Sequence, residues 1–194
     1  MSAILTSLRN TIIAGIVLAV LVFLLMGQTS YGPAFYAALF RYLHVLSGVM
    51  WIGLLWYFNF VQIPNMGKIP DEQKPAIGKV IAPAALFWFR WGAMATLITG
   101  LILAHLNGYM VDALLLGTQT GQAALIGVGM WLGIIMWFNV WFVIWPNQKK
   151  ALGMVEADAD TKAKAGRTAM LFSRTNTLLS IPMLLCMVGQ MHLA

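Results

Sequence analysis

The stretch "FRYLHVLSGVMWIGLLWYFNFVQIP", residues 40–64, decides the fold. It is long enough to cross a bilayer and almost wholly apolar. About 20 apolar residues suffice for a helix to span the hydrocarbon. Yet Arg41 and His44 stand near its start, and no acidic residue lies near them in the sequence. A backbone in hydrocarbon must pair its polar groups within its own segment, so the expected element is a helix. Residues three, four and seven apart share one face of a helix. Arg41, His44, Gly48 and Trp51 form such a stripe. Eighteen residues make five turns, so Asn59 lies below Arg41 and Gln62 below His44. One side of this helix is polar or small from end to end, and that side is predicted to face a bundle interior.

The rest of the chain reads the same way. Of 194 residues, 60% are hydrophobic and 9% charged, and the mean hydropathy is +0.80. Soluble domains carry about a quarter charged residues. The expectation is an all-α integral membrane protein of one domain, with spans near 8–27, 35–63, 80–106, 122–145 and 169–192. Spans two to five would form a four-helix bundle of haem type, with one amino-terminal span beside it. The first span opens beside Arg9. Its apolar run is long for a signal peptide, and "MGQTSYG" after it offers no small-x-small cleavage site, so it reads as an uncleaved helix. No apolar run shows the alternation of an outer-membrane strand.

Lys and Arg predict the orientation. Lys68, Lys74 and Lys79 lie in the 64–79 connector. Lys149, Lys150, Lys162, Lys164 and Arg167 lie in the 146–168 connector, and the 28–34 and 107–121 loops hold none. This split predicts a cytoplasmic amino terminus and a periplasmic or external carboxyl terminus. The net charge of +6 is then a topological signal and a preference for anionic lipid, and nucleic-acid binding is not expected. The connectors read as solvated segments, the first rich in proline and the second able to form a short surface helix. The single cysteine, Cys186, excludes an internal disulfide and a thiolate metal cluster.

Nine of the twelve Lys and Arg lie in the amino-terminal segment, which holds Arg9 at the edge of the first span, or in the connectors. The other three, Arg41, Arg90 and Arg174, lie inside the predicted spans, while all six acidic residues fall in loops. An intramembrane Arg costs a few kcal/mol or more unless it is paired or snorkels. Arg174 is close enough to a span end to snorkel. Arg41 and Arg90 require carbonyls, lipid phosphate or an anion outside the chain. A haem carries two propionates, and Arg forks onto carboxylates. His44, one turn deeper than Arg41, is the candidate ligand to haem iron, and His105 is the candidate second ligand. The competing reading is a hydrogen-bonded structural His. His192, at the end of the last span, is a further imidazole.

The small residues Gly92, Thr96 and Gly100 recur every four positions in span three and predict close helix packing. Gly129 and Gly133 do the same in span four, with Asn139 below them. Pro182, inside span five, predicts a kink. There is no hydrolase triad, phosphate loop, dinucleotide fingerprint or zinc cluster, and no catalytic residue stands out.

"RYLHVLSGVMWIG", "WFNVWFVIWPNQKK" and "RTNTLLSIPML" resemble the membrane domain that forms the amino-terminal half of bacterial membrane-bound urate oxidases, over roughly residues 35–192. The His-x6-Trp-x-Gly run and the Arg-x-Asn near the last span's start are similar also to the haem-containing bacterial protoporphyrinogen oxidases. The resemblance implies a b-type haem on His44, with Arg41, Trp51, Gly53, Arg174 and Asn176 as motif positions. It implies an oxidoreductase that relays electrons, or oxidises a small heterocycle, to a quinone or a separate cytochrome c. Urate enzymes of this kind continue into a cytochrome c domain, and this sequence contains no Cys-x-x-Cys-His. The protoporphyrinogen enzymes have a functional Lys in their third helix, and span four here has none. The alternative is a non-catalytic transmembrane subunit of a larger respiratory or photosynthetic complex, docked through its Trp-rich and small-residue faces. A transporter is disfavoured, because no inverted repeat or broken helix pair is visible.

Overall fold

The computed structural model describes residues 2–25 and 31–190. His192 and the last residues of the first and fifth predicted spans lie outside them. Among the described residues the chain is helical, with no strand. A short α1 (Ser2–Leu5) precedes α2 (Leu8–Leu25), α3 (Pro33–Lys68) and α4 (Lys74–Leu106). A short α5 (Met110–Leu114) follows, then α6 (Ala124–Ala151) and α7 (Ala159–Gly189). Five of these, α2, α3, α4, α6 and α7, are long and apolar enough to cross a membrane.

The four longest helices overrun the predicted spans at the ends that carry the basic connectors. At 1.5 Å per residue, the 36 residues of α3 run to about 54 Å, against about 30 Å of hydrocarbon. The two segments read as solvated connectors are largely helical, and only residues 69–73 and 152–158 interrupt them. For α3, α4 and α6 the physical reason lies at three prolines. Proline has no N–H for the carbonyl four residues back, and its ring crowds that carbonyl. Here a π-helical turn precedes each: Tyr57–Gln62 before Pro64, Ile77–Ile81 before Pro83, and Asn139–Ile144 before Pro146. The residue just ahead of each proline donates five residues back, Ile63 to Phe58, Ala82 to Ile77 and Trp145 to Val140. The wider turn absorbs the missing bond, so the helix continues where a stop was expected. Pro182 has no such turn, and α7 stays α-helical through it.

The start of α7 is set by Asp158, whose side chain accepts from the Thr161 N–H at 2.7 Å. The start of α6 is held by Gln190, which accepts from the Ile126 N–H (2.9 Å) and donates to the Gln122 carbonyl (2.8 Å). Both satisfy donors that a helix start leaves open.

The chain forms two compact units, Met1–Leu39 and Phe40–Ala194. In the first, α2 buries none of its residues, and Phe23 meets Phe35 edge to face at 5.7 Å. In the second, α3, α4, α6 and α7 share one core. Trp51, Leu55 and Phe58 come from α3, Leu86, Phe89 and Ala93 from α4, Met136, Val140 and Ile144 from α6, and Ala169 and Met183 from α7. A separate small cluster seats α5 on α6 through Ala113, Ala123 and Ile126. Gly127 is obligatory there, because a Cβ at that position would run into the Ala113 carbonyl oxygen.

Candidate functional site

The small-residue stripe of α4 meets the polar stripe of α3. A Cβ on Gly92 would lie 3.3 Å from the Trp51 backbone nitrogen, and one on Gly48 would lie 3.9 Å from the Thr96 methyl. A Cβ on Gly100 would lie 2.8 Å from His44 Cε1 and 3.0 Å from Nδ1. The residue four ahead normally shields a helical carbonyl. Gly100 has no side chain, so the Thr96 carbonyl is open to His44. His44 Nδ1 lies 2.9 Å from that oxygen. A carbonyl can only accept, so Nδ1 carries the proton and Nε2 of the neutral ring keeps its lone pair. Thr99 Oγ1, 3.4 Å from Nδ1, is turned to its own helix, donating to Ala95 at 2.6 Å. His44 itself is half-buried.

Arg41, a turn before His44, is exposed. Its charge acts on Tyr109 in the connector after α4. Burial pushes the Tyr109 phenol up from its ordinary value, and Arg41 and a bond with Asn107 draw it partly back. Trp51 is 2% exposed, and its indole N–H has no acceptor. His105 is exposed on the last turn of α4.

The candidate residues of α7 lie elsewhere. Asn176 is fully buried; it donates to the Met136 carbonyl (2.9 Å) and accepts from Asn139 (2.8 Å), which clamps α7 to α6. Arg174 is exposed in an open groove with Asn59 and Thr177. Asn59 bonds Ser173 at 2.8 Å and Trp56 bonds Ser180 at 3.0 Å. Asn59 is fifteen residues after His44, about 22 Å along the helix. The structure therefore brings His44, Gly48 and Trp51 of α3 together against α4, and places Arg174 and Asn176 at another level.

Arg90 has an answer that sequence reasoning missed. Its guanidinium lies 3.7 Å from the centre of the Trp145 ring and 5.4 Å from that of Trp141. An aromatic face compensates a cation where no carboxylate is at hand. The signal was available as two tryptophans four apart near the end of α6. The bond from His44 to Thr96 was also missed, although the stripe containing Thr96 was visible.

Residues 111–194 match the family model described as urate oxidase N-terminal, which bears out the resemblance to that family. The match contains "WFNVWFVIWPNQKK" and "RTNTLLSIPML" and begins beyond Arg41 and His44. No curated protein and no solved structure matches the chain.

Proposed function

We propose, on the footing of that family match, that this chain is an inner-membrane redox protein that holds a b-type haem on His44. Its basic connectors face the cytoplasm, following the distribution of Lys and Arg. The observation that carries the reading is the state of the imidazole. Its Nδ1–H is tied to the Thr96 carbonyl, which is the arrangement that orients a histidine ligand and raises its basicity. Its Nε2 lone pair is left over, and no group among the described residues bonds to it. Arg41 offers an exposed guanidinium, suited to carboxylates, a turn nearer the end of the helix.

Bound there, haem b supplies a one-electron couple. Thr96 fixes the ring orientation, Gly100 provides the room for the ring, and Trp51 against Gly92 closes the interface below. The electron donor is a quinol or a small heterocyclic substrate, and a quinone or a separate cytochrome c is the acceptor. His105, on the same helix as Thr96, would be the candidate for a second ligand.

The test is a reduced-minus-oxidised visible spectrum of the detergent-solubilised chain, with a pyridine haemochrome assay. The expected result is a b-type signal near about one haem per chain, abolished in His44→Ala. A flat spectrum after expression with ample haem, or a fully loaded His44→Ala protein, would sink the assignment. A flat spectrum would leave a non-catalytic membrane subunit as the better reading.

A further inference from the structure

We propose that the connector between α4 and α6 dips into the bilayer, where Val111, Leu115 and Leu116 insert among the acyl chains of the leaflet opposite the basic connectors. Its setting is the membrane placement proposed above, and it is independent of the haem.

Residues 107–123, "NGYMVDALLLGTQTGQA", hold one charged residue, Asp112. Their path is fixed against α6. α4 ends at Leu106, and Gly108, at φ +76°, turns the chain back. α5 then lies along the first turns of α6. A Cβ on Gly127 would run into the Ala113 carbonyl oxygen, and Trp131 Nε1 donates to the Leu114 carbonyl at 3.0 Å. Gly127 and Trp131 stand about 5 and 10 Å along α6 from its first residue, Ala124. Between Ala124 and Phe138 that helix has no charge, amide side chain or hydroxyl. The two contacts therefore lie within its apolar length, at the depth where interfacial elements bury their apolar side chains, about 5–10 Å.

The connector has two faces. Val111, Leu115 and Leu116 are 56%, 46% and 49% exposed, beside Trp131, which is itself 43% exposed on α6. Thr118, Gln119, Thr120 and Gln122 are exposed on the return. Asp112 is turned away from lipid. It is buried, and its oxygens accept from the Thr120 hydroxyl and from the N–H groups of Gln119 and Thr120. No open charge enters the apolar layer with it. The backbone is closed as well: the N–H groups of Ala113, Leu115, Leu116 and Gly117 donate to the carbonyls of Tyr109, Val111, Ala113 and Asp112. Irregular backbone at membrane depth requires such pairing. Leu116 holds φ +54°, a left-handed conformation that glycine or asparagine adopts at less cost. An exposed leucine there gains nothing in water and adds an anchor in lipid. Three side chains also fall far short of the roughly 800 Å² per partner that a stable protein interface buries, which favours acyl chains over a second protein.

The test uses the full chain in nanodiscs, in a Cys186→Ala background, with single Val111→Cys, Leu115→Cys or Gln119→Cys substitutions. A charged, water-soluble thiol reagent should modify the first two about tenfold more slowly than the third, the effect of roughly one unit on a thiol pKa raised by apolar surroundings. Nitroxides at the same positions say what covers them. At Val111→Cys and Leu115→Cys, collision with oxygen should exceed collision with a water-soluble nickel chelate, and at Gln119→Cys the order should reverse. Nickel collision at all three positions would put the connector in water, and protection from both quenchers at the first two would put protein over it; either result overturns the dip. Ile135→Cys, on the exposed side of α6, reports the membrane placement by itself. Lipid at that position with water at the other two would refute the dip alone, and water at all of them would refute both. His44→Ala should leave every reading unchanged, which keeps a failure of the haem reading separate.

Discussion

Asn176 in α7 and His44 in α3 are built on the same device. Each is a polar side chain that donates, at 2.9 Å, to a backbone carbonyl of a neighbouring helix, Met136 in one case and Thr96 in the other. They differ in what is left over. The oxygen of Asn176 is taken by Asn139, and the residue is sealed at 0% exposure. The ring of His44 is only half-buried and keeps Nε2 without a partner. A buried polar group with every valence met stabilises a fold and has nothing to offer a ligand. One that is fixed at one atom and free at the other is oriented for binding. Asn176 lies within the residues that match the family model and His44 lies before them, and the accounting of their atoms tells the two apart.

The largest expected effect tests the sealed member. Asn176→Leu leaves the Asn139 amide buried without its acceptor, at about 1–3 kcal/mol. Thermal unfolding of the solubilised protein should show the loss, while the content of the proposed haem per folded chain stays at the wild-type level. Loss of haem from the folded fraction would erase the contrast between the two sites.

A smaller effect tests the free member. In Gly100→Ala the new Cβ lies 2.8 Å from His44 Cε1, so the imidazole must give up its place against Thr96. Affinity for the proposed haem should fall about tenfold, on the order of 1.4 kcal/mol. Gly133→Ala is the control, since nothing lies within 4 Å of its Cβ. There the helix gains about 0.5–1 kcal/mol from lost unfolded-state freedom, with no change in haem. Equal behaviour of the two variants would show that Gly100 is not shaping the imidazole site.

The smallest effect concerns a third saturated group. Asp112 of α5 is buried; it accepts from the Thr120 hydroxyl and from the N–H groups of Gln119 (2.9 Å) and Thr120 (3.3 Å). The Thr120 hydroxyl, with these backbone bonds in support, holds the carboxyl below its ordinary value. A depressed folded-state pKa contributes stability that is fully present above the unfolded value, about 3.9, and is lost as pH falls through the folded value. Amide exchange at Gln119 and Thr120, corrected for intrinsic rates, should show the same protection at pH 5 and pH 7. Protection should drop below about pH 4. Invariant protection down to pH 2 would remove Asp112 as the clasp of this connector.

Much of this was legible without coordinates. The apolar run of α3 and the stripe of Arg41, His44, Gly48 and Trp51 predicted a helix with one interior face, and the small residues of α4 predicted what that face would meet. The helix ends were not legible, because Pro64 and Pro146 look like stops and only the π turns before them show that the helices continue. The lower part of the stripe also diverged. Asn59 lies beyond the start of the first π turn, which shifts the register, and it meets Ser173 of α7 while His44 and Trp51 meet α4. The pairing of Asn139 with Asn176 and of Arg90 with Trp145 could not be read from either residue alone.

The sequence by itself determined the class of structure, the number of long apolar helices and the presence of Arg41, Arg90 and Arg174 with no carboxylate in any predicted span. Hydropathy and helix periodicity are properties of neighbouring residues, and they need no knowledge of the rest of the chain. Only the tertiary structure decided that Trp145 compensates Arg90, that Thr96 fixes the proton of His44, and that Asn59 and Arg174 share a groove while Asn176 is sealed. Those outcomes depend on the register between helices far apart in sequence. Packing across the whole bundle sets that register, and each π turn ahead of a proline displaces it locally.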